Sequence, residues 1–155
     1  MLDQDLINKY RNKEIRAQKL FIDGNWVNGS GENFDIISPI DGKPFTSIAR
    51  ATVADMNKAI KSARDAFEKG SWSNMPPAQR KKILHKLSDL IERDAIELTV
   101  LGVRDNGTEI NMAINAEAGS AAGTFRYYAE SIDKVYGEIA PTANSVLGLI
   151  HKEPV

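Results

Sequence analysis

Few residues in this chain combine the types and spacing that chemistry needs. Gly29-Ser30-Gly31-Glu32-Asn33-Phe34 begins like a dinucleotide-binding loop, but Phe34 stands where the third glycine should be, and extended segments flank it with no helix following. It reads as a connecting loop. No phosphate-loop lysine pattern occurs, and neither His85 nor His151 has a second histidine or a cysteine at metal-ligand spacing. Both histidines read as surface or packed residues. The sequence contains no cysteine, which excludes a thiolate nucleophile, a disulfide framework and a zinc finger from these residues. Glu92, Asp94 and Glu97 fall at helix ends and exposed positions, where capping and solvation account for them without acid–base work. Trp26, Trp72, Tyr127 and Tyr128 could stack on bases, yet no basic residues cluster around them as a strand-tracking groove requires. They are expected to be core aromatics.

The composition narrows the remaining classes. With 155 residues, 42% hydrophobic and 26% charged, the chain has the size and balance of one globular domain. Twenty basic residues against twenty-one acidic ones leave a net charge of -1, so no overall field attracts nucleic acid or an anionic membrane. The first twenty residues mix acids and bases and lack the apolar run of a secretory signal, which gives the expectation of a cytoplasmic address.

The elements that would position any site follow from periodicity. Leu2, Leu6, Ile7 and Tyr10 recur at helical spacing and predict a short amphipathic N-terminal helix. Leu20 to Ile22 and Asn25 to Val27 flank Asp23-Gly24, a hairpin signal because both central turn positions need positive φ. Phe34 to Ser38 and Pro44 to Ala49 bracket Pro39-Ile40-Asp41-Gly42, again turn chemistry between β-prone runs. The period then becomes helical. Met56, Ile60, Ala63 and Phe67 form one face behind a Thr52/Asp55 capping box and ahead of Gly70. A second helix opens at Pro76-Pro77 with the stripe Ile83, Leu84, Leu87, Leu90 and Ile91, and a third follows an Asp94/Glu97 capping box to Gly107. Ile110 to Ile139 reads as one long helix closed by Gly137 and Pro141. Its first half is crowded with alanine and glycine, which permits close approach by a neighbour. Ser145 to His151 reads as a lone final strand with no partner, an edge that something further along the chain should cover.

Six of these local patterns, in order, carry a resemblance. Phe21-Ile22-Asp23-Gly24-Asn25-Trp26-Val27 and Ile37-Ser38-Pro39-Ile40-Asp41-Gly42 resemble the opening hairpin and following turn of the aldehyde dehydrogenase superfamily, with Ser38 where asparagine is commoner. Phe67 to Trp72, with Arg80, Leu84 and Leu87, is similar to that family's first two helices. Asp105-Asn106-Gly107 resembles its helix end, with Thr108 in place of the usual lysine. Phe125-Arg126-Tyr127-Tyr128-Ala129 resembles its long helix, and His151-Lys152-Glu153-Pro154-Val155 its next strand, with histidine at the first position. Ala129 to Glu138 is further similar to the branch acting on γ-glutamylamino- and other ω-amino-aldehydes.

The resemblance implies an α/β fold: β-hairpins and helices of the cofactor domain's N-terminal part over residues 1–137, then the start of the oligomerisation strand over 138–155. The Rossmann core and the catalytic domain are expected to be absent from this stretch. It implies a parent enzyme that oxidises aldehydes with NAD or NADP through a thiolate, with this chain alone expected to be inactive. Subunits would associate as homo-oligomers through Ser145 to Val155. Glu117 and Ser120 align with the helix lining the aldehyde tunnel, where a carboxylate among small residues could attract the cationic end of an aminoaldehyde. The backbone of Ile37, with Asp105, aligns with a structural alkali-cation site. A different class of answer is an interaction module that binds full-length subunits by strand addition at Ser145 to Val155.

Overall fold

The computed structural model describes residues 3–154, so Leu2 and Val155, named above, lie outside the described residues. Helix α1 (Gln4–Arg11) begins at Asp3, whose carboxylate accepts from the backbone N–H groups of Asp5 and Leu6 and satisfies two donors that a helix start leaves open. Its half-buried Leu6, Ile7 and Tyr10 belong to a helix that packs against α4 (Ala95–Asn106).

Two hairpins follow as their turn residues require. Strands β1 (Leu20–Ile22) and β2 (Asn25–Val27) pair antiparallel around Asp23 and Gly24, both with positive φ (53° and 71°). Strands β3 (Phe34–Ile37) and β4 (Pro44–Ile48) also pair antiparallel, with a register shift between Ile36 and Ile37. Pro44, opposite Ile37, has no N–H to bring to the ladder, which places the irregularity there. Gln18 adds a parallel bridge to Ile48.

Helix α2 (Val53–Lys69) carries the Thr52/Asp55 capping box that the sequence predicts. Its apolar stripe is uncovered: Met56 and Ile60 are 52% and 61% exposed. The remaining helices α3 (Pro77–Arg93), α4, α5 (Ile110–Ala116) and α6 (Ala118–Ser131) form a bundle whose strongest contact is α3 against α6. Small residues allow it: Ser88, Ala122 and Ala129 are fully buried, and the Ser88 hydroxyl donates to the Ala122 carbonyl at 2.8 Å.

Four expectations are corrected. The long helix from Ile110 to Ile139 is two helices broken at Glu117 and ended at Ser131, because the chain must be re-aimed for α6 to lie on α3. The final strand is not alone: β5 (Glu138–Ala140) pairs antiparallel with β6 (Gly148–Ile150). A side chain at Gly137 would meet the Ile150 carbonyl oxygen at 2.7 Å, so the glycine admits that approach. Asp94 makes no cap; Arg93 holds it in a two-point contact (2.9 and 2.7 Å), while Glu97 pairs with Lys13 at 2.6 Å. The aromatics expected in the core are at the surface, Trp26 being 63% and Tyr127 68% exposed.

Candidate functional site

Helix α5 starts at Glu109, whose carboxylate accepts from the Met112 N–H at 3.0 Å and is held below the ordinary glutamate range chiefly by the backbone N–H of Asn111. After seven residues it reaches Glu117, where ψ of −79° leaves the helical value and turns the chain into α6. Glu117 is half-buried, and its carboxylate reaches back onto α4. The side-chain Nδ2 of Asn106 donates to its Oε1 at 3.1 Å, and its Oε2 occupies the space that a side chain at Gly102 would fill. Asn106 is itself oriented by the Thr108 N–H, which donates to its Oδ1 at 2.8 Å. Ser120 lies exposed in the first turn of α6. Glu117 and Ser120 therefore share one turn, the acid against α4 and the hydroxyl residue on the surface.

The end of α4 meets the β3–β4 turn. Gly107 has φ of 76° and closes the helix with its N–H donating to the Val103 carbonyl at 2.9 Å. A side chain there would come within 3.1 Å of the Pro39 ring. Asp105 is exposed on the last turn of α4, and Ile37 sits at the β3 irregularity, where Pro44 offers its carbonyl no N–H. A carboxylate and a main-chain carbonyl are hard oxygen donors of the kind alkali cations take. Among the described residues no group of three or more His, Asp or Glu side chains could hold a metal ion.

The Gly29-Ser30-Gly31 loop does not fit a dinucleotide. The Ser30 N–H and hydroxyl both donate to the Asp55 carboxylate at 2.9 Å, so a carboxylate of the chain already occupies the place a phosphate would need. The Thr52 N–H and hydroxyl donate to the same carboxylate at 3.0 Å. The Thr52 and then the Ser30 backbone N–H hold Asp55 far below the usual carboxylate range. A side chain at Gly29 would collide with the Arg50 carbonyl oxygen, and one at Gly31 would be tight against the same oxygen at 3.0 Å. The adjoining cleft of about 580 Å³, between the first hairpin and α2, mixes Lys58 and Lys61 with Asp55 and Asp65 and has no dominant sign. Asp65 is held down at about 2 by its hydrogen bonds to Lys61 and Lys69. His85 lies 2.7 Å from Glu130, which Lys81 also meets at 2.6 Å, a clasp between α3 and α6.

Sequence reasoning did not find Gly102 and Asn106 as partners of Glu117. A glycine inside a helical stretch was the available signal, since it weakens the helix unless something needs the room.

Among the described residues, no helix is long and apolar enough to cross a membrane. The aldehyde dehydrogenase family pattern matches residues 26–155. The NADP/NAD-dependent aldehyde dehydrogenase PuuC of Escherichia coli (strain K12) is 41% identical over 138 residues, which are 88% of this chain and 28% of that protein. The crystal structure of γ-glutamyl-γ-aminobutyraldehyde dehydrogenase from Burkholderia cenocepacia J2315 superposes with a TM-score of 0.87 at 35% identity, over 94% of this chain and 30% of the other. An NAD+ complex of aldehyde dehydrogenase from Bacillus cereus superposes with a TM-score of 0.82 at 31% identity, over 96% of this chain and 30% of the other. The chain thus spans under a third of the length of these proteins. With sequence and backbone agreeing along nearly all of it, the chain belongs to the aldehyde dehydrogenase family.

Proposed function

We propose that this chain is the N-terminal section of a cytoplasmic, oligomeric subunit that oxidises aldehydes, ω-aminoaldehydes among them, to carboxylic acids with NAD or NADP. The observation that carries the reading is the match to proteins named as aldehyde dehydrogenases in sequence and backbone together. A bound nicotinamide supplies the hydride acceptor of such a reaction. No step of that transfer passes through the residues present here, because the sequence has no cysteine and its glycine loop is filled by Asp55. What this chain does is position. Residues 1–137 belong to the cofactor domain's outer part, and 138–155 begin the element that joins subunits. The turn holding Glu117 and Ser120 lies on the aldehyde's path, and the backbone of Ile37 with Asp105 would supply oxygen donors to a structural alkali cation.

A second reading is an interaction module that binds full-length subunits through its C-terminal strand. The observation favouring it is the β5–β6 ribbon, which leaves Ile139 and Leu149 72% and 71% exposed.

The test uses the complete protein that carries this sequence, with NAD+ or NADP+ and aldehydes from simple aliphatic to ω-amino. Aldehyde-dependent nicotinamide reduction is expected, and none with any aldehyde rejects the enzyme reading. The 155-residue chain alone should reduce no nicotinamide. A steady signal above a protein-free control would overturn the assignment of all chemistry to residues outside it.

A further inference from the structure

We propose that Glu117 is a positioning residue, whose carboxylate, clamped on α4 by Asn106 and Gly102, fixes the direction in which α6 leaves α5 and thereby the place of Ser120. This rests on the reading that the Glu117–Ser120 turn lies on the aldehyde's path.

Two oddities of the sequence become one contact. Glu117 is a lone acid in a stretch of alanines and glycines, and Gly102 sits inside a twelve-residue helix, where glycine is a poor helix former. A solvated acid would leave Gly102 unexplained. Instead Oε2 fills the space over Gly102, and any side chain there would displace it. Oε1 accepts from Asn106 at 3.1 Å, and Asn106 cannot turn away without giving up the Thr108 N–H. That end of α4 is a fixed reference, because Gly107 closes the helix against Pro39 immediately after it. The clamp acts at the one residue between α5 and α6, and Ala118 and Ala122, both buried, then seat α6 in the bundle. A carboxylate with one oxygen bonded to Asn106 and the other lying over Gly102 is turned back onto α4, and it acts through the geometry of the turn.

The experiment uses the complete protein and a pair of aldehydes of equal length, one an ω-ammonium aldehyde and one neutral. Glu117→Gln keeps an acceptor for Asn106 and removes the charge. Glu117→Ala removes the clamp. Gly102→Ala puts a methyl where Oε2 lies, and the carboxylate, as the far end of a flexible side chain, moves aside while α4 stays. Glu117→Ala and Gly102→Ala are expected to lower kcat/KM by about tenfold, equally for both aldehydes, as loss of one hydrogen bond to a charged group implies. Glu117→Gln should stay within about twofold of the unmodified protein, and the double alanine variant should be no worse than either single one. A Glu117→Gln loss confined to the KM of the cationic aldehyde would make the residue a recognition group and overturn the proposal. No effect of Glu117→Ala, or additive losses in the double variant, would do the same. If Glu117→Ala fails to fold, Gly102→Ala and Glu117→Gln carry the comparison. If the protein oxidises no aldehyde, the enzyme reading falls but the clamp is still measurable by melting. Gly102→Ala should lower Tm in the unmodified protein and raise it in Glu117→Ala, where only its better helix propensity is left. Lack of that sign change overturns the clamp.

Discussion

Asp55 joins two segments 25 residues apart, accepting from the N–H and hydroxyl of both Ser30 and Thr52. Those bonds favour the ionised form and depress its folded pKa below the unfolded value near 4. The stabilisation is therefore complete above about pH 4 and is lost as pH falls toward the folded pKa. Melting temperature measured from neutral to acid pH should drop for the unmodified protein below about pH 4. For Asp55→Asn it should start lower and depend less on pH, and equally steep curves would assign the acid sensitivity to other groups. The Thr52 half of this arrangement was legible, because a capping box has fixed local spacing. The Ser30 half was not: nothing local says that a serine in a Gly-Ser-Gly loop reaches a carboxylate on a later helix. The same limit hid Asn106 and Gly102 from Glu117.

At the scale of elements, α3 and α6 approach closely only because the residues between them are small. Ser88→Val should cost more than Ser88→Ala, since both lose the hydroxyl's bonds to Ala122 and Arg126 and only valine adds about 1–3 kcal/mol of overpacking. Denaturant melts of the two variants check this, and equal costs would mean that the gap has room to spare. Arg126 sits beside the contact, donating to Ser88, Asp89 and Glu92 at 3.0, 3.1 and 2.9 Å. Helices α2 and α3 were readable from their starts, the Thr52 cap and Pro77 in the first turn, and from apolar periodicity. The break at Glu117 was not, since an alanine- and glycine-rich run has no stripe to interrupt. Strand β5 escaped notice because three residues, Glu138 to Ala140, are too few to show alternation and follow a glycine that reads equally well as a helix end.

For the whole molecule the accessible surface is 11641 Å². A compact monomer of 17.1 kDa would expose about 7,800 Å². The difference exceeds what a standard protein–protein interface buries, about 1,600 Å². The isolated chain should consequently self-associate, with the β5–β6 ribbon and the exposed face of α6 as the contact surfaces. Light scattering over a range of concentrations measures it. A monomer at high concentration, unchanged by deleting residues 144–155, would show that those faces are not adhesive. Apolar periodicity told which faces would be sticky, yet Trp26 and Tyr127 were placed inside, because a sequence records that a surface wants cover without recording what supplies it.

The largest fully buried side chains are those of Thr99 and Ser88, with alanines making up most of the rest of the interior. Folding this chain thus withdraws less apolar area from water than a compact domain of its size would, and the heat-capacity change of unfolding scales with that area. Its stability curve is consequently shallow and broad in temperature. A sharper, more cooperative melting transition is expected only where a partner surface covers the exposed faces of α2 and α6.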